Sequence, residues 1–220
     1  MRKLDRTKAQ TPACLSKCSH NTHKWGDKPP ETCKGFLWKQ FHAFQDGLCA
    51  YCETKISRGD KTGHIEHFFD KGDQQYKHLT FDWNNLFGCC PSNSHCGHYK
   101  NAVLLGGSKR LPNYRLLIKP DVDDPEVSLQ FVSSGKVRVR RSNLIKFYLK
   151  GKHTIKALNL NKSSLKNDRE AQISRYKARL SALNALIGTI SDVQFDCQYA
   201  LIKQSSEKEP FRTAVKQVLF

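Results

Sequence analysis

The sequence predicts an α+β protein, and three observations carry that expectation. Apolar residues recur at helical spacing between positions 37 and 48. Two short alternating runs meet across Ser133-Ser134-Gly135, the pattern of a hairpin. In the last third of the chain the apolar residues return at steps of three and four, the pattern of packed helices. The chain has 220 residues, which suits one medium domain or a compact module with an attached lobe. A hydrophobic share of 38%, with 12 Phe, 7 Tyr and 3 Trp, is enough for a core and excludes wholesale disorder.

Residues 1–36 read as a polar, irregular arm in which Pro12, Pro29 and Pro30 break any long element. From Gly35 a helix carries Leu37, Phe41, Phe44 and Leu48 on one face, and Gly47 ends it. Residues 37–105 form a module whose Cys and His residues sit in short segments punctuated by Gly, Asp and Asn, up to Leu104-Leu105-Gly106-Gly107. Residues 106–220 read as a basic hairpin followed by a helical lobe. The hairpin pairs Val127–Val132 with Lys136–Arg140. A helix over Asn143–Leu158 is expected to break or kink near Gly151. A longer one starts at Ser163, buries Ile173, Tyr176, Leu180, Leu183 and Ile187, and stops at Gly188. Shorter helices follow at Val193–Lys203, with Cys197 in the core, and at Phe211–Leu219 after Pro210. Val215, Val218, Leu219 and Phe220 then pack on their own lobe, with docking on a partner as the alternative.

Charge points to the partner. Thirty-seven Lys and Arg against 20 Asp and Glu give a formal charge of +17, which favours a polyanion such as nucleic acid. Residues 136–180 hold 14 of the basic residues against Asp168 and Glu170 only, a net +12. Arg138 and Arg140, two apart in a strand, would share a face and with Arg141 meet a phosphate backbone; the competing reading is a solvated face. No apolar run reaches the roughly 18–20 residues of a membrane span. Met1–Arg6 lacks the apolar segment of a secretory signal, so a cytoplasmic protein with no membrane contact is expected.

Nine cysteines, an odd number, suit metal ligation better than a closed disulfide framework. Cys49-x2-Cys52 brings two thiolates to one ion, and the cluster from Cys89 to Cys96 offers the other half. Cys90 and Cys96 are the expected second pair, with Cys89 and His95 as alternates, in a closed structural zinc site. Cys14, Cys18, His20, His23 and Cys33 either hold a second zinc or are ordinary residues of a loose arm.

Between the cysteine pairs lies His64-Ile65-Glu66-His67-Phe68-Phe69-Asp70, and further on Asp82-Trp83-Asn84-Asn85-Leu86 and Cys96-Gly97-His98-Tyr99-Lys100. Imidazole titrates near neutrality and can deprotonate water, and a carboxylate beside it can hold a hard cation. CxxC, an acid–His pair, Asn-Leu and a second cysteine pair ending in Cys-x-x-x-Lys resembles the zinc-bearing HNH endonucleases with their ββα-metal fold. From about Leu37 to Arg169 the wording resembles the PtuB type, the HNH subunit of Septu and of some retron-associated anti-phage systems.

That resemblance implies a phosphodiester hydrolase needing Mg²⁺ or Mn²⁺. His67 would be its general base, Glu66 a ligand of the catalytic ion, and Asn85 the residue that fixes the loop and orients the base. Many members carry Asn or His directly after the last cysteine, where this chain has Gly97; His98 is therefore taken as the second ligand, or as a zinc ligand replacing a cysteine. His64 is a lesser candidate. Lys100, at the matching lysine, would contact phosphate, while Asp70 and Asp82 read as turn residues. The implied partners are a PtuA-like SMC/ABC ATPase and, in the retron version, a reverse transcriptase with its non-coding RNA. The alternatives are an RNA-cleaving (tRNA) toxin with the same site and a non-catalytic zinc-ribbon nucleic-acid binder.

Overall fold

The computed structural model describes every residue except 28, 29, 60, 103 and 106, and of Pro30 the backbone only. Helix α1 spans Pro30–Gln45. It starts five residues before the expected Gly35, because a proline in the first turn lacks only an N–H that would have had no helical partner. It ends where Asp46 and Gly47 both turn left-handed, at φ 57° and 68°. Its inner face buries Leu37, Phe41 and Phe44, and Trp83 stacks on Phe41 with ring centroids 5.5 Å apart.

Strands β1 (His64–His67) and β2 (Leu86–Cys89) form an antiparallel pair, with His64 opposite Cys89 and His67 opposite Leu86. Gln45, at the end of α1, clamps this pair from behind. Its Nε2 donates to Leu48 O and Gly88 O at 2.9 Å, and its Oε1 accepts from Gly88 N at 2.8 Å. A buried amide with its hydrogen bonds filled costs little and fixes register. A short helix, α2 (Cys96–Lys100), follows the second cysteine loop.

A second hairpin, β3 (Leu129–Phe131) with β4 (Val137–Val139), turns at Gly135, where φ is +67°. A Cβ there would lie 2.1 Å from Lys166 O, so the turn presses on the helix Ser163–Asn184. Helix α3 (Ile145–Ala157) runs without the break expected at Gly151. Gly151 instead lets α3 approach the hairpin, since a Cβ would meet Ser128 O at 2.5 Å.

Helix α4 (Ser163–Asn184) stops short of Gly188, which sits at φ +85° in the turn beyond. Helix α5 (Asp192–Ser206) opens on a capping box of Ser191 and Gln194, and α6 is Arg212–Leu219. Cys197 is exposed rather than in the core, because α5 buries only Ile202 and Ser206 fully and leaves Val193 and Leu201 open. Val215 is buried, and Val218, Leu219 and Phe220 pack against the core, as lobe packing requires.

The described residues of the arm are anchored to the rest of the chain, against expectation. Met1, Leu4 and Leu15 are buried, Leu4 N donates to Pro120 O at 2.8 Å, and Cys14 is disulfide-bonded to Cys33. The Arg6 guanidinium lies over Phe44, Trp83 and Phe87 at 4.5–4.8 Å. One buried cluster runs through arm, module and lobe. Among the described residues no helix is long and apolar enough to cross a membrane.

Candidate active site and metal centre

Cys49 and Cys52 stand on a tight turn in which Glu53 N donates to Cys49 O at 3.1 Å, with Glu53 at φ 66°. Cys90 lies just past β2, and Cys96 opens α2 with φ 62°. The four sulfurs lie within 4.8 Å of one another and all four residues are buried. Cys52 Sγ and Cys90 Sγ are 3.7 Å apart. Zinc–sulfur bonds of about 2.3 Å in a tetrahedron put sulfurs about 3.8 Å apart. This donor set therefore fits, and could hold, a metal ion such as zinc.

The alternates lie beside it. Cys89 Sγ is 3.7 Å from Cys49 Sγ, and His95 Nδ1 is 3.2 Å from Cys96 Sγ. Burial raises the Cys49 thiol, but S–H donation from Cys52, Cys89, Cys90 and Cys96 outweighs it and holds Cys49 well below its ordinary value. Cys96 is pushed well up by burial and by that same thiolate, and Cys89 to about 12. Such a pocket prefers one thiolate until a cation compensates more. Arg169, 1% exposed, has its charge disfavoured by burial and supported by Cys52, Cys96 and Glu53.

The residues read as a second zinc site do other things. Cys14 is tied to Cys33, Cys18 Sγ points at Cys14 O at 3.5 Å, and His23 Nδ1 faces the Thr22 hydroxyl at 2.8 Å. Among the described residues only the four-cysteine group gathers three or more ligands.

In front of β1 opens a cleft of about 520 Å³ lined by His64, Glu66, His67, His98, Arg58 and Lys71, among others. His67 is 4% exposed, and its Nε2 donates to Thr80 O at 3.0 Å. A proton fixed on Nε2 leaves Nδ1 with its lone pair. Burial, and then the nearby Lys71 ammonium, lowers the imidazole to about 3, so it is neutral at pH 7. Trp25, from the arm, sets its ring edge-on to His67 at 4.5 Å and lines the cleft.

Asn85 is buried and hydrogen-bonded through both its side-chain polar atoms. Its Oδ1 accepts from Phe69 N at 2.7 Å, and its Nδ2 donates to Phe69 O and Leu79 O at 3.0 Å. It thus holds the segment after β1 against the segment carrying the Thr80 carbonyl that orients His67.

Glu66 is 4% exposed and ion-paired through Oε1 to Lys100 Nζ at 2.6 Å; its Oε2 lies 3.4 Å from His64 Nε2. Burial alone would raise this carboxyl, but Lys100 and His64 bring it down to about 2. Lys100 is a correction to the sequence reading. Rather than facing phosphate it is fully buried, donating to His67 O at 2.8 Å and to Phe68 O.

His98 is exposed, stacks on His64 with centroids 3.8 Å apart, and faces Asn93 Oδ1 through Nδ1 at 3.0 Å. The missing side chain at Gly97 has a steric reason. A Cβ there would lie 2.3 Å from Glu66 Oε2 and 3.0 Å from His64 Nε2.

Asp70 and Asp82 serve turns, accepting from Gly72 N at 3.0 Å and Asn84 N at 2.9 Å. Arg138, Arg140 and Arg141 are not brought to this cleft. Arg58 and Lys71, which sequence reasoning passed over, are. Lys34 and Lys109 in the same wall are paired to Glu31 and Asp70, whereas Arg58 and Lys71 make no ion pair among the described residues. Nothing in their spacing set them apart from neighbouring basic residues such as Lys55 and Lys61.

No known family profile matches this chain. Over 113 residues, 51% of the chain, it is 32% identical to the Septu protein PtuB of Bacillus thuringiensis. The matched stretch covers 36% of that protein, about a third of its length.

Proposed function

We propose that the cleft is the active site of a metal-dependent HNH-type endonuclease acting as an anti-phage defence effector. The likeness to a Septu protein PtuB supports the defence role. The nuclease reading rests on one observation: His67, its Nε2 donating to Thr80 O, and Glu66 line one cleft with Arg58 and Lys71, two basic side chains that make no ion pair among the described residues.

Hydrolysis then runs on this chain's own groups. Nδ1 of His67 accepts a proton from water as the water oxygen bonds to phosphorus. The bond to the sugar 3′ oxygen breaks, leaving a 5′-phosphate on one fragment and, after protonation, a 3′-hydroxyl on the other. Thr80 O and Trp25 hold the imidazole, and Asn85 ties the segment after β1 to the segment that carries Thr80 O. Arg58 and Lys71 draw in the backbone. Glu66, with the imidazoles of His64 and His98 beside it, would hold a divalent cation, which would supply positive charge to the phosphate and the leaving oxygen. The four-cysteine metal supplies scaffolding that a module of this size lacks.

DNA and RNA share the phosphate on which these groups act, so both belong to the substrate class. A PtuA-like ATPase is the proposed partner, and Arg138, Arg140 and Arg141 are proposed to contact backbone away from the cut. The test is cleavage of DNA and RNA by purified protein with Mg²⁺ or Mn²⁺, with and without that ATPase. Cleavage lost in His67→Ala with zinc content unchanged is the expected result. No cleavage of either polymer under any condition, with binding retained, would leave a zinc-stapled binder instead.

A further inference from the structure

Resting on that nuclease reading, we infer that His64, and not His98, is the imidazole ligand that joins Glu66 in holding the catalytic cation. The two oxygens of Glu66 are not equivalent. Oε1 is buried against Lys100 Nζ, an ion pair of 2.6 Å, so Oε2 is the oxygen left for an ion. Oε2 is also the one that faces His64, with Nε2 3.4 Å away. Two adjacent ligands of an octahedral Mg²⁺ or Mn²⁺ with bonds near 2.1 Å stand about 3 Å apart. A small closure of this pair onto an ion meets that spacing.

Strand geometry puts the two together, since side chains at positions i and i+2 of a strand share a face. Gly97 completes the arrangement. The volume that a side chain would occupy directly after the last cysteine is filled by Glu66 Oε2 and His64 Nε2, at 2.3 and 3.0 Å from the would-be Cβ. The ligand absent from α2 is thus replaced by one from β1. His98 has a different task. Its ring lies over His64 at 3.8 Å, 28° from parallel, and its Nδ1 is engaged by Asn93 Oδ1 at 3.0 Å. Stacking of this kind fixes the plane of the His64 ring without contributing a ligand atom.

The test is a Mn²⁺ titration followed by electron paramagnetic resonance, on the zinc-loaded full chain. His64→Ala is expected to weaken Mn²⁺ by about 100-fold or more, and His98→Ala by about tenfold, the low end of outer-shell losses. Gly97→Ala forces the Glu66 carboxylate aside and is expected to weaken Mn²⁺ comparably while leaving zinc content and circular dichroism unchanged. Unaltered affinity in His64→Ala, or a large loss confined to His98→Ala, would overturn the assignment. Nucleic-acid cleavage by the wild type alongside such a result would overturn the ligand choice alone. The expected Mn²⁺ losses without any cleavage by the wild type would support the ligand pair and sink the nuclease reading.

Discussion

Lys100→Met removes a buried ammonium from between a buried carboxylate and two strand-end carbonyls, and its cost can be worked from the geometry. The Lys100–Glu66 contact is 2.6 Å, with 0% and 5% of the side chains exposed. At an effective dielectric of about 20, that separation is worth about 6 kcal/mol before desolvation is subtracted. The carboxyl is held at about 2 instead of near 4.5 by Lys100 and His64 together against burial, a net bias toward the ionised form of about 3 kcal/mol. Leaving one partner of a buried pair uncompensated costs about 3–5 kcal/mol, so Lys100→Met should destabilise the fold by about 4 kcal/mol.

Urea unfolding of zinc-loaded, Mg²⁺-free protein measures this, together with Glu66→Gln and the double variant. The double variant should be less destabilised than the sum of the singles by about 2–3 kcal/mol. Mg²⁺ should recover part of the Lys100→Met loss, because a bound cation stabilises the folded state by mass action. A loss below about 1 kcal/mol, or strict additivity, would refute the pairing as the reason Lys100 is buried.

Three further outcomes follow from the same geometry. Arg58→Ala and Lys71→Ala should each reduce the salt dependence of nucleic-acid binding by about one unit of log–log slope, measured by fluorescence anisotropy in the His67→Ala background; an unchanged slope would remove that residue from the backbone path. Cys52→Ser should abolish stoichiometric zinc by elemental analysis and lower the thermal midpoint sharply, since metal-binding energy is folding energy in such a module. The Asp70 carboxyl is stabilised by Lys109 and Gly72 N–H strongly enough to overcome burial and fall below its ordinary value. Its contribution is therefore complete above the ordinary carboxylate range and fades as pH drops through the lowered value. Asp70→Asn should lower stability at pH 7 and converge with the wild type in strong acid, and a constant gap at every pH would contradict the sign.

Periodicity and punctuation made most of the fold legible. The face of α1, that of α4 as far as Leu183 (Ile187, 68% exposed, lies past the helix end, against expectation), the hairpin turn at Gly135 and the final helix after Pro210 are local features, and local spacing reports them. Cys49, Cys52, Cys90 and Cys96, the set expected from the sequence, lie within 4.8 Å of one another, with the alternate Cys89 buried beside them. Sequence reasoning failed where a close approach between distant segments decides the outcome. Gly151 looks like a helix breaker in one dimension, but it is the point where α3 touches the hairpin. Lys100 looks like a free cation until Glu66, 34 residues earlier, is found against it. Gly97 looks like a departure from the motif until Glu66 and His64 are seen to fill its space. The arm looked loose because its order comes from scattered anchors, Met1, Leu4, Arg6 and Leu15, that follow no repeat.

The decisive measurement counts two metals in one protein. Elemental analysis and Mn²⁺ titration of wild type and Glu66→Gln should give one zinc per chain in both, with a Mn²⁺ site present in the first and lost in the second. If Glu66→Gln binds Mn²⁺ as well as the wild type, or if the wild type holds no metal beyond zinc, the cleft is not a metal-dependent phosphodiesterase site.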